Sequence, residues 1–127
     1  MTENEIATRI LDGAFEVHRE LGPGLLESVY EIALAHVLAE SGLKVRRQVS
    51  IPVNFRRITF EEGFRADLLV EEKVIVELKS VRTLEPVFQK QLQTYLRLAD
   101  KRLGLLINFN EAVLRTGIKR VVNGLEE

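Results

Sequence analysis

Asp67, Glu77 and Lys79 interrupt two apolar, β-branched runs, Leu68–Val70 and Val74–Leu78, that flank the charged triplet Glu71-Glu72-Lys73. Apolar runs around a short charged loop form the pattern of a β-hairpin. Strand side chains alternate between faces, so Glu77 and Lys79 share one face while Val74, Val76 and Leu78 share the other. If the loop is Glu71 to Lys73, an odd number of residues, Asp67 falls opposite Glu77 on the same face. Two carboxylates that close repel each other unless one is protonated or a cation bridges them. A hard divalent ion such as Mg²⁺ takes carboxylate oxygens and keeps waters for chemistry. Lys79, one pleat beyond, is placed to steer a water or hold a phosphate oxygen. Without Asp67, the Glu77–Lys79 pair would read as an exposed ion pair at a sheet edge, a common and weak feature.

The elements that must position these groups are legible on either side. Thr2-x-x-Glu5 has the form of a capping box. Ile6, Ile10, Leu11, Ala14, Val17 and Leu21 then follow helical spacing, which predicts a helix over 3–20 broken by Gly22-Pro23-Gly24. His18, near its end, is placed to bond the last carbonyls. A second helix is expected from Pro23–Leu25, with proline in its first turn, to Ser41-Gly42. Glu27 and Tyr30 are neighbours on one of its faces, and for Glu27 a carboxylate at the positive end of the helix dipole is the plain structural reading. Leu43, Val45, Val49, Ile51 and Val53 share a parity, with Arg47 the exception, so a half-exposed strand follows. Pro52 marks it as an edge. Arg56 to Glu62 is expected to be a turn and a short ragged strand. Pro86 opens a third helix to about Asp100, with Phe88, Leu92, Leu96 and Ala99 on one stripe and Gln91 and Tyr95 on the next. Leu103–Phe109 is apolar almost throughout, as in a strand buried on both faces. A loop and a strand over Ile118–Val122 close the chain. This order gives an α/β sandwich with a mixed central sheet.

At Asp67 and Glu77-Leu78-Lys79 the chain resembles the core motif of the PD-(D/E)XK nuclease superfamily, with Ala66 where the superfamily's name has proline. Gly24-Leu25-Leu26-Glu27-Ser28-Val29-Tyr30 fits G-x-x-E-x-x-Y, and the run from Val17 to Glu31 resembles the GxxExxY protein family. That likeness also covers Leu103–Phe109 and Gly117–Val122, most of the chain from about Ile10. Gln91-x-x-x-Tyr95 is similar to the Q-x-x-x-Y motif of several superfamily nucleases. The resemblance implies a three-layer sandwich with a mixed central β-sheet flanked by helices, the restriction-endonuclease-like core. It implies hydrolysis of phosphodiester bonds in DNA or RNA with Mg²⁺ or Mn²⁺ as cofactor. The implied metal ligands are Glu27, Asp67, Glu77 and the Leu78 carbonyl. Lys79 joins the three acids as catalytic, and Tyr30, Arg65, Gln91 and Tyr95 form the supporting or substrate-binding set.

The whole chain bounds this reading. Its 127 residues suit one domain over 1–127. A hydrophobic share of 46% beside 29% charged residues is that of an ordinary water-soluble domain. No apolar stretch is long enough to cross a membrane, and the acidic start Met1-Thr2-Glu3-Asn4-Glu5 does not resemble an export signal. The absence of cysteine rules out disulfides and thiolate zinc sites. The cytoplasm is the expected compartment. A net charge of −1 lacks the positive excess of an avid nonspecific nucleic-acid binder and leaves open a homo-oligomer or a partner protein. The competing reading is therefore a noncatalytic nucleic-acid-binding or protein-interaction module on a nuclease-like fold. With only 6% aromatic residues, it has few platforms for stacking bases.

Overall fold

In the computed structural model, which describes residues 1–126, helices α1 (Glu3–Leu21) and α2 (Glu27–Glu40) precede strands β1 (Val45–Phe55), β2 (Ile58–Val70) and β3 (Val74–Lys79). Helix α3 (Pro86–Ala99), strand β4 (Leu103–Asn108), a single 3-10 turn and strand β5 (Ile118–Val122) follow. Glu127, the last residue of the expected domain, lies outside the described residues. The five strands form one sheet in chain order. β3 and β4 run parallel, joined by α3, and every other neighbouring pair is antiparallel.

The sheet is the middle of three layers. On one face, Ile6, Ile10, Tyr30 and Leu34 of the first two helices pack against Leu68, Val76, Leu105 and Ile107. On the other, Leu92 and Leu96 of α3 pack against Phe64, Ile75 and Leu106. Only Lys79 of β3 and β4 escapes full burial, as expected of central strands covered on both sides. No helix among the described residues is long and apolar enough to cross a membrane.

The capping box is present at the start of α1, with Glu5 N–H donating to Thr2 Oγ1 at 3.2 Å and Thr2 N–H donating to Glu5 Oε1 at 3.1 Å. Two expectations need correction. α2 starts at Glu27, so Pro23 lies in the turn before it. Gly22 takes a φ of 73°, which glycine adopts without strain. The buried Tyr30 hydroxyl then donates to the Gly22 carbonyl (2.6 Å) and accepts from Leu25 N–H (3.0 Å), pinning that turn as a loop. The stretch Arg56 to Glu62 holds the expected turn, but the strand after it is not a short separate one. Arg56 and Arg57 form the tight turn of a long β1–β2 hairpin, and β2 continues from Ile58 into the core, with a register shift against β1 between Ile51 and Val53.

Candidate active site

Glu71, Glu72 and Lys73 form the loop between β2 and β3, the odd number that sets the register. Leu68 pairs with Val76, Leu69 with Ile75 and Val70 with Val74. One step further that register brings Asp67 opposite Glu77, and the backbone ladder is replaced there by side chains. Asp67 N–H donates to Glu77 Oε2 at 2.8 Å, and Leu78 N–H donates to Asp67 Oδ2 at 2.9 Å. Each carboxylate is thus held by a backbone amide of the opposing strand.

Both groups pay for this position electrostatically. Burial pushes the Glu77 carboxyl up to about 8, the negative charge of Asp67 adds to the rise, and the Asp67 amide and the Lys79 ammonium partly oppose it. Asp67 is raised as well, first by burial, against the hydrogen bond from Leu78 N–H; Glu31 adds a second negative field and Lys79 a positive one. Such a pair keeps a proton near neutral pH or takes up a cation in its place.

Lys79 lies on the face of Glu77 yet makes no ion pair among the described residues; its Nζ sits 4.6 Å from the centroid of the Phe88 ring. The plain Glu77–Lys79 ion pair is therefore not formed, and Glu77 is buried rather than exposed. Tyr95, on α3, stacks on Phe64 with centroids 3.9 Å apart. Burial raises the pKa of its hydroxyl, the charges of Glu77 and Asp67 add to the rise, and Gln91 opposes it. Arg65, two residues before Asp67, is exposed and paired to Glu62. Tyr30 stacks on Phe109 at 4.6 Å and serves the α1–α2 turn.

The acidic side chain that α2 brings toward the pair is Glu31, not Glu27. Glu27 is exposed at the first residue of the helix, and its side chain joins no hydrogen bond or ion pair among the described residues. Glu31, one turn on, is buried. Its Oε2 accepts from Arg47 Nη2 at 2.9 Å and Nε at 3.1 Å, and its Oε1 accepts from Gln48 Nε2. Gln48 Nε2 also reaches Asp67 Oδ1 at 3.3 Å, joining the two acids through one amide. Arg47 was the odd residue on the apolar parity of β1, and its buried partner explains why. Asn108, fully buried at the end of β4 beside Lys79, bonds both Val81 N–H and the Val81 carbonyl and so fixes the loop leaving the site.

Among the described residues no three or more Asp, Glu, His or Cys side chains gather into a ready-made metal cage. The donor set still suits Mg²⁺, which is commonly held by one or two carboxylates and completes its shell with water and phosphate oxygens. Asp67 and Glu77 supply those two, and their mutual repulsion is what such an ion would relieve.

Replacing Glu31 with Gln should expose the difference between the two glutamates of α2. The change strips Arg47 and Gln48 of a charged acceptor and is expected to cost about 1–3 kcal/mol. Glu27→Gln should stay within about 0.5 kcal/mol, as surface changes do. Urea unfolding midpoints of the two variants provide the check.

Similarity to known proteins agrees with this architecture. No curated protein matches the chain. The crystal structure of SSO0001 superposes with a TM-score of 0.54 at 18% sequence identity, over 79% of this chain and 52% of that one. The chain thus spans about half the length of that protein, and the likeness is one of fold. The family model of the PD-(D/E)XK nuclease superfamily matches residues 4–121, through both strands of the Asp67–Glu77 pair and all three helices, and the chain belongs to that superfamily.

Proposed function

We propose that this protein is a metal-dependent nuclease that hydrolyses phosphodiester bonds of DNA or RNA, and that within its superfamily it is a GxxExxY protein. The observation that carries the reading is the mutually repelling pair of half-buried Asp67 and buried Glu77, each held by the other strand's backbone amide, with Lys79 alongside. Asp67, Glu77 and the Leu78 carbonyl would hold Mg²⁺ or Mn²⁺. When bound, the ion supplies an activated water and offsets charge on the phosphate.

The remaining work falls to the chain. Glu77 gives up its proton as the site is loaded. Gln48, braced by Glu31 and Arg47, orients Asp67 from one side while Leu78 N–H orients it from the other. Lys79 swings from the face of Phe88 to a phosphate oxygen or the attacking water. Gln91 and Tyr95 border the same end of the sheet and are suited to a substrate hydroxyl or phosphate. Glu27, exposed on the rim, has a role only if substrate reaches α2.

Incubation with single- and double-stranded DNA and RNA, in Mg²⁺ and in Mn²⁺, tests the reading. Cleavage is expected, lost in chelator and lost in Glu77→Gln. The net charge of −1 favours one alternative, a module that binds nucleic acid or protein without cutting. Binding with no cleavage of any substrate in either metal would establish that alternative.

A further inference from the structure

The β1–β2 hairpin runs past the rest of the sheet. β3 pairs only with Leu68–Val70, so from Arg65 back to the turn β2 has β1 alone beside it among the described residues. A bare two-stranded ribbon is marginal in water, yet this one displays large apolar side chains. Val53 opposes Phe60 and Phe55 opposes Ile58, so all four share one face. Phe55, Ile58 and Phe60 are 57%, 56% and 50% exposed. Val53 packs against the α3-side core, which fixes that face as the side of Glu77 and Lys79. Aromatic rings therefore follow one another from the carboxylates to the tip: Tyr95 and Phe64 stacked, then Phe60, then Phe55.

The turn adds charge to this face. Arg56 and Arg57 both adopt positive φ, 47° and 71°, in a two-residue turn where Asn-Gly is the usual solution. Two arginines held there bring two cations to the tip, and neither forms an ion pair among the described residues. The Arg56 guanidinium lies 5.2 Å from the centroid of Phe55. The nearby Glu62 is taken up by Arg65.

We propose that this arm binds an unpaired stretch of nucleic acid, with Phe55 and Phe60 stacking on bases and Arg56 and Arg57 meeting phosphates. A polyanion with flat apolar faces answers both halves of the tip, whereas an apolar protein surface would have to bury two unpaired cations. The proposal rests on the nuclease reading of the Asp67–Glu77 site. From Phe60 to Asp67 the strand covers at most about 23 Å at about 3.3 Å per residue, so one strand of substrate can touch both.

Fluorescence anisotropy of a labelled single strand, measured in chelator so that nothing is cut, tests the arm. Phe55→Ser with Phe60→Ser changes exposed positions and should keep the native circular dichroism and melting temperature. It is expected to weaken binding about tenfold or more, the loss of two stacking platforms. Arg56→Ala with Arg57→Ala should lower the slope of log affinity against log salt by about 1.4, the value for two phosphate contacts on a single strand. Unchanged affinity in both variants overturns the proposal, as does failure of the wild type to bind. So does a sedimentation change in the serine variant with nucleic-acid binding intact, which makes the tip a contact between copies. Cleavage by the wild type with binding unaltered in the variants would sink the arm and leave the nuclease standing. Binding lost in the variants, with no cleavage in either metal, would do the reverse.

Discussion

Lys79→Ala is expected to slow phosphodiester cleavage by about two powers of ten or more, the usual loss when a donor to transition-state charge is removed. Metal affinity should change little. The Lys79 ammonium depresses the pKa of both carboxylates, so it lies within their field, yet it pairs with neither and rests on Phe88. A compact, unpaired cation at that point is free to meet charge that appears only during reaction. Its removal also lets Glu77 hold its proton to higher pH, which would weaken metal binding indirectly. Single-turnover cleavage and calorimetric metal titration should therefore both be run above pH 8, where that effect fades. In a noncatalytic module the same change would only loosen a polyanion and flatten the salt dependence by about 0.9 for a duplex. Cleavage at full rate in the variant would remove Lys79 from the mechanism.

The core of this site could be read in the sequence because it depends on local rules. A three-residue loop between β-branched runs fixes the Asp67–Glu77 register, and pleating fixes the face shared by Glu77 and Lys79. Pro86 likewise opens α3, and the stripe of Phe88, Leu92, Leu96 and Ala99 does pack on the sheet.

What escaped the sequence depends on contacts between distant segments. Residues four apart on a helix share a face, so periodicity could not choose between Glu27 and Glu31, and the GxxExxY string drew attention to the first. The Glu31–Arg47 pair is what buries the second of them, and its one local sign is an arginine on the apolar parity of β1. Parity itself fails in that strand. Val45 packs in the α1–α2 layer and Val49 in the α3 layer, although both are odd-numbered. Between them Gln48 takes a φ of 50°, turning the strand over and bringing its amide between Glu31 and Asp67. A non-glycine residue in that conformation carries no turn signature, and the same holds for Arg56 and Arg57. The turn at Arg56 is legible only from the break in the apolar pattern, but the length of β2 beyond it is not, because its register with β1 shifts between Ile51 and Val53.

Glu77→Gln is expected to make the metal-free protein more stable at alkaline pH and to abolish its response to metal. The folded-state pKa of Glu77, about 8, lies above that of an unfolded glutamate, so the folded protein binds the extra proton. Stability contributed by that proton is fully present below the unfolded value, near 4.5, and is lost as pH rises through 8. Over that window the loss is on the order of 5 kcal/mol, at about 1.4 kcal/mol per pKa unit. A neutral glutamine keeps the oxygen that accepts from Asp67 N–H and carries no charge to bury, so the variant should lose the part of the pH dependence that Glu77 contributes and keep that of Asp67. In the wild type, Mg²⁺ or Mn²⁺ should restore stability at pH 8 and above by binding the folded state alone. At pH 6 the same ion must displace a proton and should give a smaller shift, with proton release measurable by calorimetry in buffers of different ionisation enthalpy. Thermal melts of wild type and Glu77→Gln from pH 5 to 9, with and without metal, provide the comparison. Parallel pH profiles for the two proteins would show that Glu77 is ionised in the folded state at neutral pH, and would remove the repulsion on which the metal assignment depends.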